Sequence, residues 1–285
     1  MTQKFRSVAV VGALALTMGW TMQQAPTTTA PLTYEHRVVD GRRLLALDEG
    51  SDRVVEAFGD VTNADSIVVF VPGAGWNLRK FEQDDTPMSP RTAARDLMQR
   101  TEREDGTRVT TAGPDTDVTR LATVAWLGYQ PPPGLGVGAL RSERADVGAA
   151  ELARFVEWLP EDASITLACH SYGGVVCGQA AAANAQVDNI VSIGGAGMDV
   201  SSVEQLDTAA NVWVAQAPED NIRFLPGFRI AGFGHGSSPV ADGFGGYQVD
   251  TGDAREHADY YQPDGSTMTH LLSIAQGRYA EVDHA

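Results

Sequence analysis

The stretch Ile165-Thr166-Leu167-Ala168-Cys169-His170-Ser171-Tyr172-Gly173-Gly174-Val175-Val176 does most to limit what this chain can fold into. Its first half is short, apolar and β-branched, which predicts a buried strand; the run from Gly173 to Ala183 is built of small residues without proline, which predicts a helix. Between them stands Ser171. A sharp strand-to-helix turn forces such a serine into a strained backbone conformation and lifts its hydroxyl clear of the sheet, while the next N–H faces a reacting carbonyl. The usual spacing is Gly-x-Ser-x-Gly, and here Cys169 stands in place of the first glycine. The alternative reading is a plain glycine-rich strand-helix turn.

The rest of the chain supplies a setting for that turn. Arg43 to Leu47 and Arg53 to Phe58 read as an antiparallel pair, and Ser66 to Val71 is a continuous apolar run of the kind buried in a parallel sheet. Ser89 and Pro90 open a helix with the apolar stripe Ala93, Ala94, Leu97 and Met98. Leu121 to Trp126 is the next strand, and Gly128 to Arg141 is a proline- and glycine-rich connection. A helix capped by Ser142 follows, with Ala145, Ala149, Leu152, Val156 and Leu159 on one face until Pro160 stops it. Strands are expected again at Asn189 to Ile193 and Asn211 to Ala217, and a last helix from about Ser266 to Ala275. Strands alternating with helices predict a parallel, doubly wound sheet in one domain spanning residues 31–285.

Lys4 and Arg6 ahead of the apolar run Val8 to Met18, and then the polar, small-residue stretch Gln23 to Ala30, have the layout of a secretory signal or N-terminal anchor over residues 1–30. A secreted protein or one associated with the cell envelope is the expectation. Export would permit a disulfide between the two cysteines, Cys169 and Cys177. Two buried free thiols are the expectation instead, because a nucleophile turn needs close strand-helix contact that a strained bridge would disturb. A net charge of −16, with no clustered Lys/Arg stripe, argues against a nucleic-acid partner.

In a sheet of this type function gathers at the carboxyl ends of the strands. After Val71, Pro72-Gly73-Ala74-Gly75-Trp76 offers small residues and the backbone N–H of Ala74, which would join the N–H of Tyr172 in holding an oxyanion. A dinucleotide loop would need a glycine where Leu78 stands. After Ala217, Glu219 and Asp220 supply the acid, with Asp220 preferred. Of six histidines, His235 and His257 follow the acid and lie in loops; His257, just before the last helix, is the expected base. His170 should point to the other side of the sheet, and His235 with Asp242 lacks ligand spacing, so His235 is expected to be a structural loop histidine; the triad chemistry needs no metal and no cofactor. Trp76, Trp126 and Tyr129 are the expected substrate-binding aromatics.

The strings Gly59-Asp60, Val71-Pro72-Gly73, Ala125-Trp126-Leu127-Gly128-Tyr129, His170-Ser171-Tyr172-Gly173, Gly194-Gly195-Ala196-Gly197-Met198, Asp220-Asn221-Ile222 and His257-Ala258-Asp259-Tyr260 resemble a family of bacterial α/β hydrolases long catalogued as a domain of unknown function. The resemblance implies an α/β-hydrolase fold, a mostly parallel sheet with helices on both faces, and Ser171, Asp220 and His257 as a triad. It brings no substrate identity. The expected reaction is cleavage of a small-molecule or lipid-like carboxylic ester through an acyl-enzyme. Acyl transfer, amide cleavage, or a catalytically silent envelope-binding domain are the alternatives.

Overall fold

A computed structural model describes residues 29–112, 119–183, 186–224, 227 and 233–285 of the chain. All but the last two residues of the expected signal segment lie outside that range. Nine strands form one sheet in the order β1-β2-β3-β5-β4-β6-β7-β8-β9. They are β1 (Arg37–Val39), β2 (Arg42–Asp48), β3 (Arg53–Phe58), β4 (Ser66–Val71), β5 (Leu121–Leu127), β6 (Ser164–His170), β7 (Val187–Ile193), β8 (Asn211–Ala215) and β9 (Tyr247–Val249). The first three run antiparallel to their neighbours, β3 included against β5. From β5 through β9 every pairing is parallel.

The central strands are apolar on both sides because both sides are covered. In β4 and β6 the side chains alternate between two cores: Ile67, Val69, Val71, Ile165, Leu167 and Cys169 face one, while Val68, Phe70 and Ala168 face the other. Helices α3 (Glu143–Trp158) and α4 (Gly173–Ala182) cover the first face; α2 (Pro90–Ala112) and α5 (Ser266–Ala275) cover the second. The sequence GGVVCGQAAA of α4 has no polar stripe because nearly all of it is buried, and its small residues let it lie close on the sheet.

Three elements were not anticipated: the edge strands β1 and β9, each three residues long, and the short helix α1 (Leu78–Gln83). None carries a long enough periodic pattern to be read. Ser142 does stand at the start of α3, but its hydroxyl donates to Asp199 Oδ1 at 3.1 Å instead of capping the helix. Among the described residues no helix is long and apolar enough to cross a membrane.

The expectation of free thiols is overturned. Cys169 and Cys177 form a disulfide, with Cα atoms 6.3 Å apart. The physical reason is the alternation of β6, which aims Cys169 toward α4, and the tight turn after it, which lays Cys177 over the strand from one turn into the helix. That separation falls within the usual range for a bridge.

Candidate active site

The chain leaves β4 and returns on one side of it as β5, then crosses to the other side as β6. Carboxyl ends of strands diverge at such a switch point and leave a crevice. Two turns face each other there, the one after β4 and the one after β6. They are so close that a Cβ built on Gly73 would lie 2.7 Å from Ser171 Cβ and 3.2 Å from its Oγ.

Ser171 has φ 55°, a left-handed conformation that a residue with a side chain rarely adopts. Its surroundings hold it there. The Ser171 N–H donates to Ile193 O at 2.9 Å, and its carbonyl accepts from Gly174 N at 3.0 Å and Ala196 N at 3.3 Å. Gly173 is required next, because a Cβ there would meet Val71 O at 2.5 Å. Where the first glycine would stand, the Cys169 side chain points to α4 and is bonded to Cys177.

The loop after β4 is pinned from several directions. Tyr129 donates its hydroxyl to Pro72 O at 2.7 Å, Gly75 N–H donates to Pro132 O at 2.7 Å, and Leu78 N–H donates to Asp52 Oδ1 at 2.9 Å. Asn77 then caps α1 by accepting from Lys80 N–H at 2.8 Å. Neither the Ala74 N–H nor the Tyr172 N–H donates to an acceptor among the described residues. The Tyr172 side chain turns away, donating to Arg141 O at 2.6 Å.

Asp220 is fully buried at the turn after β8, whereas Glu219 is exposed near Arg255, which separates the two adjacent acids. Asp220 Oδ2 lies 2.9 Å from His257 Nδ1 and accepts the Tyr260 hydroxyl at 2.7 Å; its Oδ1 accepts from Ile222 N–H at 2.9 Å. Burial would raise this carboxyl, but the bonds from His257, Tyr260 and the Ile222 N–H outweigh it and hold it at about 2. An ionised carboxylate there means that Nδ1 of His257 carries the proton and Nε2 is the basic nitrogen. The Glu219 N–H donates to Arg255 O at 3.0 Å, tying the acid's loop to the base's loop.

His170 does face away from α4, as strand alternation requires, but that face holds the His257 loop. Its ring lies 4.5 Å from the His257 ring, and its Nε2 is 3.1 Å from the His257 carbonyl. Burial, and then the neighbouring His257, push its pKa down to about 3, so it stays neutral and serves as a donor to that carbonyl.

The substrate-binding expectation needs correction at two positions. Trp126 and Tyr129 are 0% and 1% exposed and stack on each other at 5.8 Å, so they form framework under the loop after β4, not a substrate wall. Both sit beneath a connection that looked irregular, and their burial was hidden by its proline and glycine content. Trp76 is also nearly buried, with Lys80 Nζ 4.2 Å from its ring centre. His235 is buried and its Nε2 lies 2.6 Å from Ala139 O, the structural role expected of it. Among the described residues no group of His, Cys, Asp and Glu could hold a metal ion.

Tyr260 and His170 were the functional contacts missed. Tyr260 had one signal, its place three residues after the expected base; His170 had its place beside the nucleophile.

A strained serine at a strand-helix turn, backbone donors across from it and an acid-histidine pair at the ends of later strands define an α/β hydrolase. A family model described as alpha/beta hydrolase matches residues 48–230, and the chain belongs to that family. An uncharacterized protein of Mycobacterium tuberculosis is 31% identical over 178 residues; the match covers 58% of this chain and 62% of that protein's length. Among solved structures, 2,6-dihydroxy-pseudo-oxynicotine hydrolase is 11% identical, with a TM-score of 0.41, over 87% of this chain and 69% of its own. A predicted CIB-like hydrolase from Thermoplasma acidophilum is 12% identical, with a TM-score of 0.36, over 68% of this chain and 77% of its own.

Proposed function

We propose that this protein is a serine hydrolase that cleaves carboxylic esters with Ser171 as nucleophile, His257 as base and Asp220 as the base's partner. The observation that carries the reading is the buried Asp220 carboxylate 2.9 Å from His257 Nδ1, with the His257 ring 4.5 Å from that of His170, the residue before the strained Ser171. Ser171 Oγ attacks the acyl carbon as His257 Nε2 takes its proton. The carbonyl oxygen becomes an oxyanion held by the Ala74 and Tyr172 N–H groups, which lose nothing on turning to it because they have no other partner among the described residues. His257 then passes the proton to the departing alkoxide, and Asp220 stabilises the imidazolium in between. Water repeats the sequence on the acyl-enzyme.

The acyl group we expect is short and uncharged. Ser171 is only 2% exposed and the Gly73 turn closes over it, so a long chain has little room beside the nucleophile. A net charge of −16 disfavours anionic substrates. The site of action we infer is outside the cytoplasm, at or beyond the cell envelope, which fits the Lys4, Arg6 and Val8 to Met18 segment and a disulfide that an oxidising compartment permits.

The test is labelling with a fluorophosphonate together with turnover of acetyl, butyryl, octanoyl and palmitoyl esters of one chromogenic alcohol. Labelling at Ser171 with a maximum at acetyl or butyryl is expected, and Ser171→Ala should abolish both signals. Labelling that survives Ser171→Ala ends the proposal. Labelling without hydrolysis of any ester would assign the site to amides or acyl transfer.

A further inference from the structure

The Asp220 carboxylate divides its donors unevenly. Oδ1 accepts one backbone N–H, while Oδ2 accepts both His257 and the Tyr260 hydroxyl. We propose that Tyr260 is a positioning residue for the reaction, one that sets both the location and the basicity of the Asp220 oxygen on which His257 depends. This rests on the Ser171, His257 and Asp220 reading above.

The phenolic proton can be placed by elimination. Besides Asp220, the Tyr260 oxygen has two neighbours, the Ala217 N–H at 2.9 Å and the Gln216 amide nitrogen at 3.3 Å. Both are donors, so the single hydroxyl proton must go to Asp220 Oδ2. Burial, and then the bond to Asp220, push the phenol well above its ordinary range, so that proton stays on the ring oxygen throughout the working pH range. The ring is 1% exposed. Room for it exists only because residue 194 is glycine at φ +52°, where a Cβ would lie 2.8 Å from both Asp220 Oδ2 and Tyr260 Cε2. Base and clamp come from one segment three residues apart, so the two donors reach the carboxylate at a spacing that the chain fixes.

The chemical consequence concerns proton release. A second donor on Oδ2 draws charge from the oxygen that faces the imidazolium, so the ion pair formed after proton uptake is weaker than it would be with His257 alone. The proton then passes more readily to the leaving group. Among the other titratable or charged groups here, His170 at the end of β6 interacts with Asp220, Asp259 on the same loop with Tyr260, and Lys80 on α1 with His170.

The experiment is the pH profile of kcat/KM, from pH 4 to 10 on the acetyl ester, for the full-length wild type, Tyr260→Phe, and protein carrying 3-fluorotyrosine at 260, with Ser171→Ala and His257→Ala as controls. Loss of the phenol leaves Oδ2 more basic and stabilises the imidazolium, so Tyr260→Phe should lower kcat on the order of tenfold at constant KM. It should also move the acidic limb upward by about half a unit. Fluorotyrosine, a stronger donor of nearly the same size, should move the limb the opposite way while leaving Ala217 and Gln216 their acceptor. It decides the matter alone if Tyr260→Phe does not fold. A limb that stays put in both variants, with both controls inactive, overturns the role of Tyr260 and leaves the triad reading intact. Controls that still turn over ester overturn that reading and the proposal with it.

Discussion

Breaking the Cys169 to Cys177 bridge tests the link between the turn and its stability. The two cysteines are 8 apart in sequence, so the closed loop is short. In the chain-entropy treatment a loop of that length stabilises the folded state by about 2.5 kcal/mol. For a chain of this size that corresponds to a fall in Tm of roughly 4 °C on reduction. Both cysteines are fully buried, so Cys169→Ala with Cys177→Ala also removes packed sulfur, at a further cost of roughly 1 kcal/mol per site. Reduced wild type should therefore melt between the oxidised protein and the double variant. Cys169 points away from the reacting face, so ester turnover well below the melting temperature should change by less than about twofold in either case. The assay is scanning calorimetry on the three forms, with thiol alkylation and intact mass to establish redox state. Two thiols that alkylate in unfolded protein never exposed to reductant would refute the bridge. A reduced form melting with the oxidised one would refute the entropic argument.

Three further outcomes are expected from the site itself. Asp220→Asn should lower kcat by on the order of 10⁴, because an amide no longer selects the tautomer with the proton on Nδ1. The same variant should change acid stability with a definite sign. The Asp220 carboxyl is depressed to about 2 in the folded protein, below its unfolded value of about 3.9, so its contribution is present above the unfolded value and lost as pH falls through the folded one. Urea midpoints between pH 5 and 2 should thus fall less steeply for Asp220→Asn than for wild type; parallel slopes would count against the depressed carboxyl. Gly73→Ala places a methyl 2.7 Å from Ser171 Cβ. Turnover should drop by roughly 100-fold while phosphonate labelling slows in parallel, and a fully active Gly73→Ala would contradict the facing of the two turns.

Much of the fold could be read because its central strands are continuous apolar runs and its principal helices have clear starts. Ser66 to Val71 and Ser266 to Ala275 were delimited as the structure has them. Elements of three residues, such as β1, were invisible because pairing with a neighbour, not side-chain pattern, defines them. At the site, the chain order of Ser171, Asp220 and His257 was legible, since each follows a readable strand or precedes a readable helix. What composition concealed was tertiary. Trp126 and Tyr129 were expected at the substrate because they adjoin a proline- and glycine-rich connection of the kind that marks surface loops, yet both are buried, and Tyr129 is tied beneath the loop after β4 by its bond to Pro72 O. The disulfide was missed because close strand-helix contact was read as incompatible with a bridge, whereas that same closeness brings the two Cα atoms to 6.3 Å, within bridging range.

The groups gathered at the crevice come from positions 73 to 260, and the sheet they stand on is closed last by the C-terminal helix. Ser66 at the start of β4 donates to Ala275 O at 2.6 Å, across 209 residues of chain. Met268, Leu271, Leu272 and Ile274 are buried against the face of the sheet that α5 shares with α2. On the proposed triad, a growing chain completes the turn that holds Ser171 some 86 residues before His257 is added, the difference between the two positions. On that reading it stays inert until residue 257 has been added, and the apolar surface that α5 covers is still open at that point. Helices of such long-range partnership form their contacts late and slowly. Inertness during synthesis and vulnerability to aggregation in that interval are two outcomes of the same chain order.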